Sequence, residues 1–187
     1  EYAAALGADA YLLITSHGPV GDVKASVVAV PGSSEAPAAG SSGALCQPLA
    51  EAQLVFAHEY AEQRPWRMAC SNVAASGEGG FRLALSLCQG LVHVVTAQRG
   101  AGGGWKLAVA ATSLCDLLTT EPGAAIVVES LALGPASSRS GRHHRLQCAI
   151  LYSSHWLGGA GRVTHAACLE VAPHGAAHLG TCCWFIG

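Results

Sequence analysis

The sequence has few charged and few aromatic residues. Of its 187 residues, 12% are charged and 6% are aromatic, whereas 51% are hydrophobic. So apolar a chain has little polar surface, and we expect part of its surface to be covered by a partner. The ten Lys and Arg residues are scattered and the formal net charge is −2. Without a basic patch, we expect neither nucleic acid nor a membrane as a partner.

Long apolar runs and export signals are also missing. No apolar run reaches the roughly 18 residues of a membrane-spanning helix, and the sequence shows neither a signal-peptide pattern nor an Asn-x-Ser/Thr glycosylation site. The eight cysteines lie mostly within apolar segments, which favours buried thiols over a disulfide framework. These features predict a cytoplasmic protein.

The apolar pattern predicts an α/β protein that forms a single domain over residues 1–187. Four short apolar runs are typical of buried strands, and the run at 91–97 is apolar enough to be buried on both faces. The predicted strands cover residues 10–14, 91–97, 124–129 and 146–152. Helices are predicted at residues 47–60 and 73–89, and residues 1–6 are read as a helix end that Gly7 terminates.

Cys70 is the first candidate for chemistry. It follows a predicted short strand and precedes the helix predicted at residues 73–89, so its thiol is expected at a helix start. Unpaired N–H groups and the helix dipole lower the pKa of a cysteine in that position and favour the nucleophilic thiolate. Because cysteine is also among the most buried residue types, an inert core thiol is the alternative.

Several segments resemble the β-ketoacyl synthases of the thiolase superfamily. Ala69-Cys70-Ser71 is similar to the family's nucleophile motif, and residues 90–97 are similar to a strand that follows it, with His93 in place of an acid. Residues 121–131 and 170–180 resemble two later family motifs. The resemblance implies a thiolase-like layered α-β-α-β-α fold, partial relative to a full ketosynthase.

The resemblance also implies a reaction. Cys70 would accept an acyl group as a thioester, and His174 would donate a hydrogen bond during decarboxylative condensation. The implied partners are an acyl carrier protein or acyl-coenzyme A thioesters of fatty-acid or polyketide biosynthesis, with no cofactor and no metal. The family's second histidine and its Gly-Phe-Gly-Gly turn are missing, so we expect a truncated or divergent member that works as a homodimer or heterodimer.

Three alternatives remain at this point. His17 and Cys70 also resemble the dyad of caspase-like cysteine peptidases, and that function needs a loop rather than a helix after Cys70. A metal site could use His174, His178, Cys182 and Cys183, since imidazoles and thiolates bind zinc. Finally, the chain could be a non-catalytic ketosynthase-like subunit that serves only as a partner.

Overall fold

In the computed structural model, the part of the chain that the structure describes consists almost entirely of β-strands. The structure describes residues 1–17, 22–31, 33, 47–54, 68–75, 79–88, 90–114, 124–135, 146–156, 162–171 and 177–186. Within these ranges, no helix is long and apolar enough to cross a membrane.

Thirteen strands follow one another along the described chain. They are β1 (Tyr2–Ala5), β2 (Ala10–His17), β3 (Asp22–Ala29), β4 (Ala50–Leu54), β5 (Ala69–Cys70), β6 (Ala74–Ala75), β7 (Gly80–Cys88), β8 (Leu91–Arg99), β9 (Trp105–Ser113), β10 (Ala124–Pro135), β11 (Leu146–Trp156), β12 (Arg162–Val171) and β13 (Ala177–Ile186).

The strands form three antiparallel sheets, each from consecutive segments of the chain. The first sheet has the order β1-β2-β3-β4 and the third sheet has the order β10-β11-β12-β13. In the middle sheet, β5 and β6 both pair with β7, which is followed by β8 and β9. Because β5 and β6 pair with successive parts of β7, they act as one edge strand interrupted at residues 71–73, and each sheet is a four-stranded meander.

The three sheets are stacked face to face. Strands β3 and β4 of the first sheet pack against β9 of the middle sheet, and β10 of the third sheet packs against β5, β6 and β7. The middle sheet therefore lies between the other two. Consecutive four-stranded meanders also pack face to face as the blades of a β-propeller.

The first interface is an aliphatic layer between the first and middle sheets. Alternate residues of each strand point into it, as the two-residue period of a strand requires. Its fully buried side chains include Leu12, Ile14 and Val27 from the first sheet and Leu83, Leu85 and Val95 from the middle sheet.

The second interface joins the opposite face of the middle sheet to the third sheet. Its buried side chains include Ala84, Val92 and Val94 from the middle sheet and Ile126, Ile150 and Leu169 from the third sheet. Because β8 contributes Val92 and Val94 to this layer and Val95 to the other, the prediction that residues 91–97 are buried on both faces is confirmed.

The predicted α/β, thiolase-like fold is wrong. Where helices were predicted, residues 2–5, 50–54 and 80–88 form strands β1, β4 and β7. The strands predicted at 10–14, 91–97, 124–129 and 146–152 are confirmed within β2, β8, β10 and β11. The apolar run Leu83 to Cys88 fits a buried helix and a buried strand equally well, since both of its faces are covered.

Glycines mark the turns that set this topology. Gly7 and Gly90 have φ angles of 92° and 67°, in the left-handed region that other residues rarely adopt. Gly90 joins β7 to β8, so the segment predicted as a helix at residues 73–89 instead leads into a hairpin. Residues 100–104 form the turn between β8 and β9, where the Gly100 N–H donates to the Gly104 carbonyl oxygen.

Candidate functional site

Cys70 lies in the short strand β5 of the middle sheet, where it pairs with Leu85. It is a half-buried free thiol packed against the first interface. Burial raises its pKa from the ordinary 9.0 to about 11, so the thiol is protonated at neutral pH. The helix start expected to activate Cys70 is replaced by a strand, and its role as an acyl-accepting nucleophile stays a prediction.

The residues that follow Cys70 interrupt the edge strand. The Ser71 N–H donates to the Ala84 carbonyl oxygen at 2.8 Å, and the Ala84 N–H donates to Ser71 Oγ at 2.9 Å. The Ser71 hydroxyl therefore takes the place of the main-chain acceptor that a regular edge strand would offer to the Ala84 N–H of β7. An irregularity of this kind turns nearby side chains in a new direction.

Asn72 connects this irregular segment to the third sheet. Asn72 Nδ2 donates to the Leu133 carbonyl oxygen at 2.9 Å, and the Leu133 N–H donates to Asn72 Oδ1 at 2.8 Å. An amide side chain that both donates to and accepts from one residue acts like an additional strand residue. The segment after Cys70 thus binds β10 in a fixed position.

Tyr2 connects the same segment to the first sheet. Its hydroxyl donates to the Ser71 carbonyl oxygen at 3.2 Å. Burial, with a smaller effect from nearby Cys70, raises the pKa of Tyr2. Residues 69–75 therefore form a junction, which we call the Ser71–Asn72 junction, that contacts all three sheets. The surroundings of Cys70 are those of a structural contact rather than of an activated thiol.

The other predicted site residues cannot be placed beside Cys70. His174 lies outside the described residues. His17 is the last residue of β2, but its side chain lies outside the described part, as do those of His178, Cys182 and Cys183 in β13. Among the described residues, no group of three or more His, Cys, Asp or Glu side chains is placed to hold a metal ion.

A Ser–His contact that the sequence reading did not single out lies between β11 and β12. Ser154 Oγ is 2.9 Å from His165 Nε2, and the His165 ring stacks on Tyr152 with a centroid distance of 5.0 Å. Such a pair resembles a nucleophile and its base. It lies on the face of the third sheet that carries Ile150, so it borders the packed second interface and is read as a cross-strand contact.

A shallow groove lies on the opposite face of the third sheet. It has a volume of about 370 Å³. Two cross-strand rows of mostly small side chains form it, Ala132-Ala149-Cys168 and Ser130-Leu151-Ala166. Ser130, Ala132 and Ala149 are exposed, and Cys168 and Leu151 are half-buried. We call this surface the outer face of the third sheet; its described outward side chains at the groove are small apart from Leu151, and the register places Trp184 of β13 next to Ala166.

The outer face of the first sheet has a different shape. The rows Ala5-Tyr11-Val28 and Ala3-Leu13-Ser26 lie across β1, β2 and β3. Tyr11 is 41% exposed and stands between two smaller side chains. Ser26 Oγ donates to Glu51 Oε1 at 3.3 Å at one side of this face. On this face Ala3, Ala5 and Tyr11 are exposed, whereas Val28 and Ser26 are buried.

The comparisons with known proteins give no family for this chain. No protein-family model, curated protein or solved structure matches it. The sequence did contain a signal for the groove, because in β11 the exposed Ala149 alternates with the buried Cys148 and Ile150, a pattern of a sheet with one covered face.

Proposed function

We propose that this chain is a non-catalytic assembly module that binds protein through the outer faces of its first and third sheets. One observation carries the proposal: the middle sheet is covered on both faces, whereas the faces turned away from it expose Ala132 and Ala149 on the third sheet and Ala5 and Tyr11 on the first sheet. Exposed apolar patches of this kind mark interaction sites in soluble proteins.

The internal interfaces support this proposal. Each sheet already packs an apolar face against another sheet of the same chain. Packing of this kind requires only that aliphatic side chains alternate along the strands. The outer face of the third sheet carries Ala132, Ala149 and Ala166 in the equivalent outward positions. The partner that fits such a face is a second β-sheet with an apolar surface.

The assignment as a non-catalytic module follows from the setting of Cys70. A thiol with a raised pKa is a poor nucleophile near neutral pH, because the thiolate is the reactive form. This proposal keeps the expected association with a partner chain. The partner binds through an apolar β-sheet and does not deliver an acyl group. The reduced cysteines Cys70, Cys148 and Cys168 support the further proposal of a reducing, cytoplasmic setting.

Sedimentation velocity over a range of concentrations tests the proposed function. The natural chain should associate at micromolar concentration, and the double variant Tyr11→Arg/Ala149→Arg should be a monomer with an unchanged far-ultraviolet circular dichroism spectrum. The double variant Ala101→Arg/Gly102→Arg is the matched control, because it adds the same two charges at exposed turn positions. A natural chain that stays monomeric would contradict the proposal.

A further inference from the structure

The middle sheet ends at strand β9, and the proposed function does not involve the edge of this strand. We propose that the edge of β9 binds an extended segment of a partner protein, which adds to the middle sheet as one more antiparallel or parallel strand. This surface is a strand edge and not an outer sheet face, so the proposal goes beyond the proposed function.

The edge of β9 is long and regular. All nine residues, from Trp105 to Ser113, pair with β8 in one continuous register. The strand contains no proline, no glycine and no register shift, and Lys106 is its one charged residue. Soluble proteins protect the edges of their sheets against pairing with other chains by short strands, bulges, prolines or several charges. Strand β9 has only a single lysine near its start.

The other edges that the structure describes carry more protection. Strands β1 and β4 are short, with four and five residues. The edge formed by β5 and β6 is interrupted at the Ser71–Asn72 junction. Strand β10 has a register shift between Val128 and Ser130, and the pairing of β13 with β12 is also irregular. This contrast selects β9 as the edge suited to strand addition.

Hydrogen bonds beyond both ends of the β8–β9 pair determine which main-chain groups of β9 face outward. The Gly100 N–H donates to the Gly104 carbonyl oxygen at 2.7 Å, and the Leu114 N–H donates to the Gly90 carbonyl oxygen at 2.6 Å. In an antiparallel pair, hydrogen-bonded residue pairs alternate with non-hydrogen-bonded ones. Counting from either end gives the same result: the even-numbered residues of β9 bond to β8, and the odd-numbered residues point their N–H and C=O groups to the open edge.

Leu107, Val109 and Ala111 are the odd-numbered residues in the centre of this edge. Within the described part of the chain, their outward N–H and C=O groups have no protein hydrogen-bond partner. Donors and acceptors that recur at this spacing match the main chain of another strand, which is how sheet edges bind extended peptides. The main chain of β9 therefore requires an extended occupant.

The side chains of β9 indicate the chemistry of that occupant. Leu107 and Val109 are half-buried and pack against the first interface, so residues of the added strand on this side gain stability when they are apolar. On the other side of β9, Lys106 and Ala108 are exposed. Residues of the added strand on that side are expected to be polar, with a carboxylate beside the Lys106 ammonium group. The partner segment thus alternates apolar and polar residues and includes an acidic one.

Amide hydrogen exchange with a synthetic peptide tests this inference. The probe is a short acetylated and amidated peptide that alternates valine with threonine and contains one glutamate. The peptide should slow exchange at Leu107, Val109 and Ala111 by about tenfold or more, because these amides gain a partner. The amides of Ala108 and Ala110, which already bond to β8, should change little. If millimolar peptide slows none of the three outward amides, the inference is wrong.

A proline in the edge provides the matched test. Val109→Pro removes the central outward N–H and should weaken peptide binding by about tenfold or more, while an edge strand tolerates proline where the N–H faces outward. Val109→Thr is the control, because it has a similar shape and keeps the N–H. If Val109→Pro does not fold, Ala111→Pro against Ala111→Thr gives the same comparison at an exposed position. Equal binding by the proline and threonine variants would show that the peptide does not pair with this edge.

The edge proposal and the proposed function can fail separately. Tyr11→Arg/Ala149→Arg blocks both outer faces and leaves the edge of β9 intact, so peptide binding should persist in this double variant. Loss of peptide binding there would place the peptide on an outer face and contradict edge pairing. A natural chain that stays monomeric contradicts the proposed function and does not affect the result at the edge.

Discussion

The middle and third sheets have similar meander topology but different surfaces. Strand β8 of the middle sheet is buried on both sides, through Val92 and Val94 on one and Val95 on the other. Strand β11 of the third sheet buries Cys148 and Ile150 on one side and exposes Ala149 on the other. The middle sheet is thus buried on both faces. The third sheet is buried on one face, and its other face is the proposed docking surface.

The difference lies in side-chain size rather than in backbone. Both faces of β8 carry aliphatic residues, whereas the outward positions of β11 include Gln147 and Ala149. Small and polar residues gain little from burial, so they tolerate exposure when no partner is bound. A second sheet can still cover them. Substitutions on the two sheets should therefore differ in their effects on stability and on association.

The largest expected effect comes from truncating a side chain in the middle sheet. Leu85 is fully buried in the first interface, so Leu85→Ala should lower the free energy of unfolding by about 2–5 kcal/mol. The matched control is Leu151→Ala, which removes the same atoms from the half-buried outer face and should cost less than about 1.5 kcal/mol. Urea denaturation below the association concentration measures both, and equal losses would contradict the comparison.

The second prediction concerns alkaline stability and the Cys148 thiol. Burial, and then the nearby Cys168, raise the pKa of Cys148 from 9.0 to about 12. Between these values the unfolded chain loses this proton while the folded chain retains it, so the free energy of unfolding falls as the pH rises. At about 1.4 kcal/mol per pKa unit, the loss approaches 4 kcal/mol.

Urea titrations between pH 8 and pH 12 test this alkaline loss. Cys148→Ala should be less stable than the natural chain at pH 8, because it removes a buried side chain, but its stability should fall less steeply above pH 9. Part of the slope should remain, since burial also raises the pKa of Cys70 to about 11. Parallel curves for the two proteins would show that Cys148 does not titrate as described.

The third prediction tests how the third sheet is fixed to the middle sheet. Asn72→Ala removes both hydrogen bonds to the Leu133 main chain and should cost about 1–2 kcal/mol. Asn72→Asp keeps an acceptor for the Leu133 N–H but turns a carboxylate oxygen toward the Leu133 carbonyl, so it should not restore stability. Amide hydrogen exchange at Leu133 should increase in both variants. An unchanged exchange rate would mean that the junction does not hold β10.

The smallest expected effect is at the contact between Tyr2 and Ser71. Tyr2→Phe removes one hydrogen bond of 3.2 Å and keeps the ring, so the cost should be about 0.5–1 kcal/mol. Thermal unfolding of the variant against the natural chain measures it. If the substitution instead raised the stability, the Tyr2 hydrogen bond would not contribute to holding the first sheet at the Ser71–Asn72 junction.

The sequence was sufficient to predict the strands whose length and composition excluded a helix. The run Leu91 to Ala97 is short, rich in β-branched residues and bounded by glycine, so only a strand fits it well. The segment 80–88 was ambiguous, because alanine and leucine are good helix formers and an apolar run carries no period. The glycines that flank this segment, Gly79 and Gly90, were the sequence signal for a short strand between two turns. In the structure both have positive φ and they bound a nine-residue strand.

The candidate site was harder to predict than the strands. Cys70 was correctly placed at the end of a short strand, but its expected reactivity depended on a helix that is β6 and β7 instead. The contact between Asn72 and Leu133 joins residues 61 positions apart, and nothing local in the sequence pairs them. The groove likewise needs β10, β11 and β12 side by side before its alanines form one surface.

The reaction implied by the ketosynthase resemblance can be tested separately. Exposure to acyl thioesters at pH 7.5, followed by intact-protein mass, should give no acyl adduct that Cys70→Ala removes, because the raised pKa of Cys70 keeps its thiol protonated. A stoichiometric acyl adduct at Cys70 would support an enzymatic function and contradict the non-catalytic assignment.

The most direct test of the assembly function uses Cys168 as a reporter in the groove. Cys168 is a half-buried, reduced cysteine on the outer face of the third sheet, whereas Cys148 is buried in the second interface. Labelling with a bulky maleimide, followed by peptide mapping, gives the rate at each thiol across a range of protein concentrations. The account predicts that the Cys168 rate falls as concentration rises in the natural chain and stays constant in Tyr11→Arg/Ala149→Arg, with Cys148 slow throughout. A Cys168 rate that is independent of concentration in the natural chain would contradict the central claim that this face is covered on assembly.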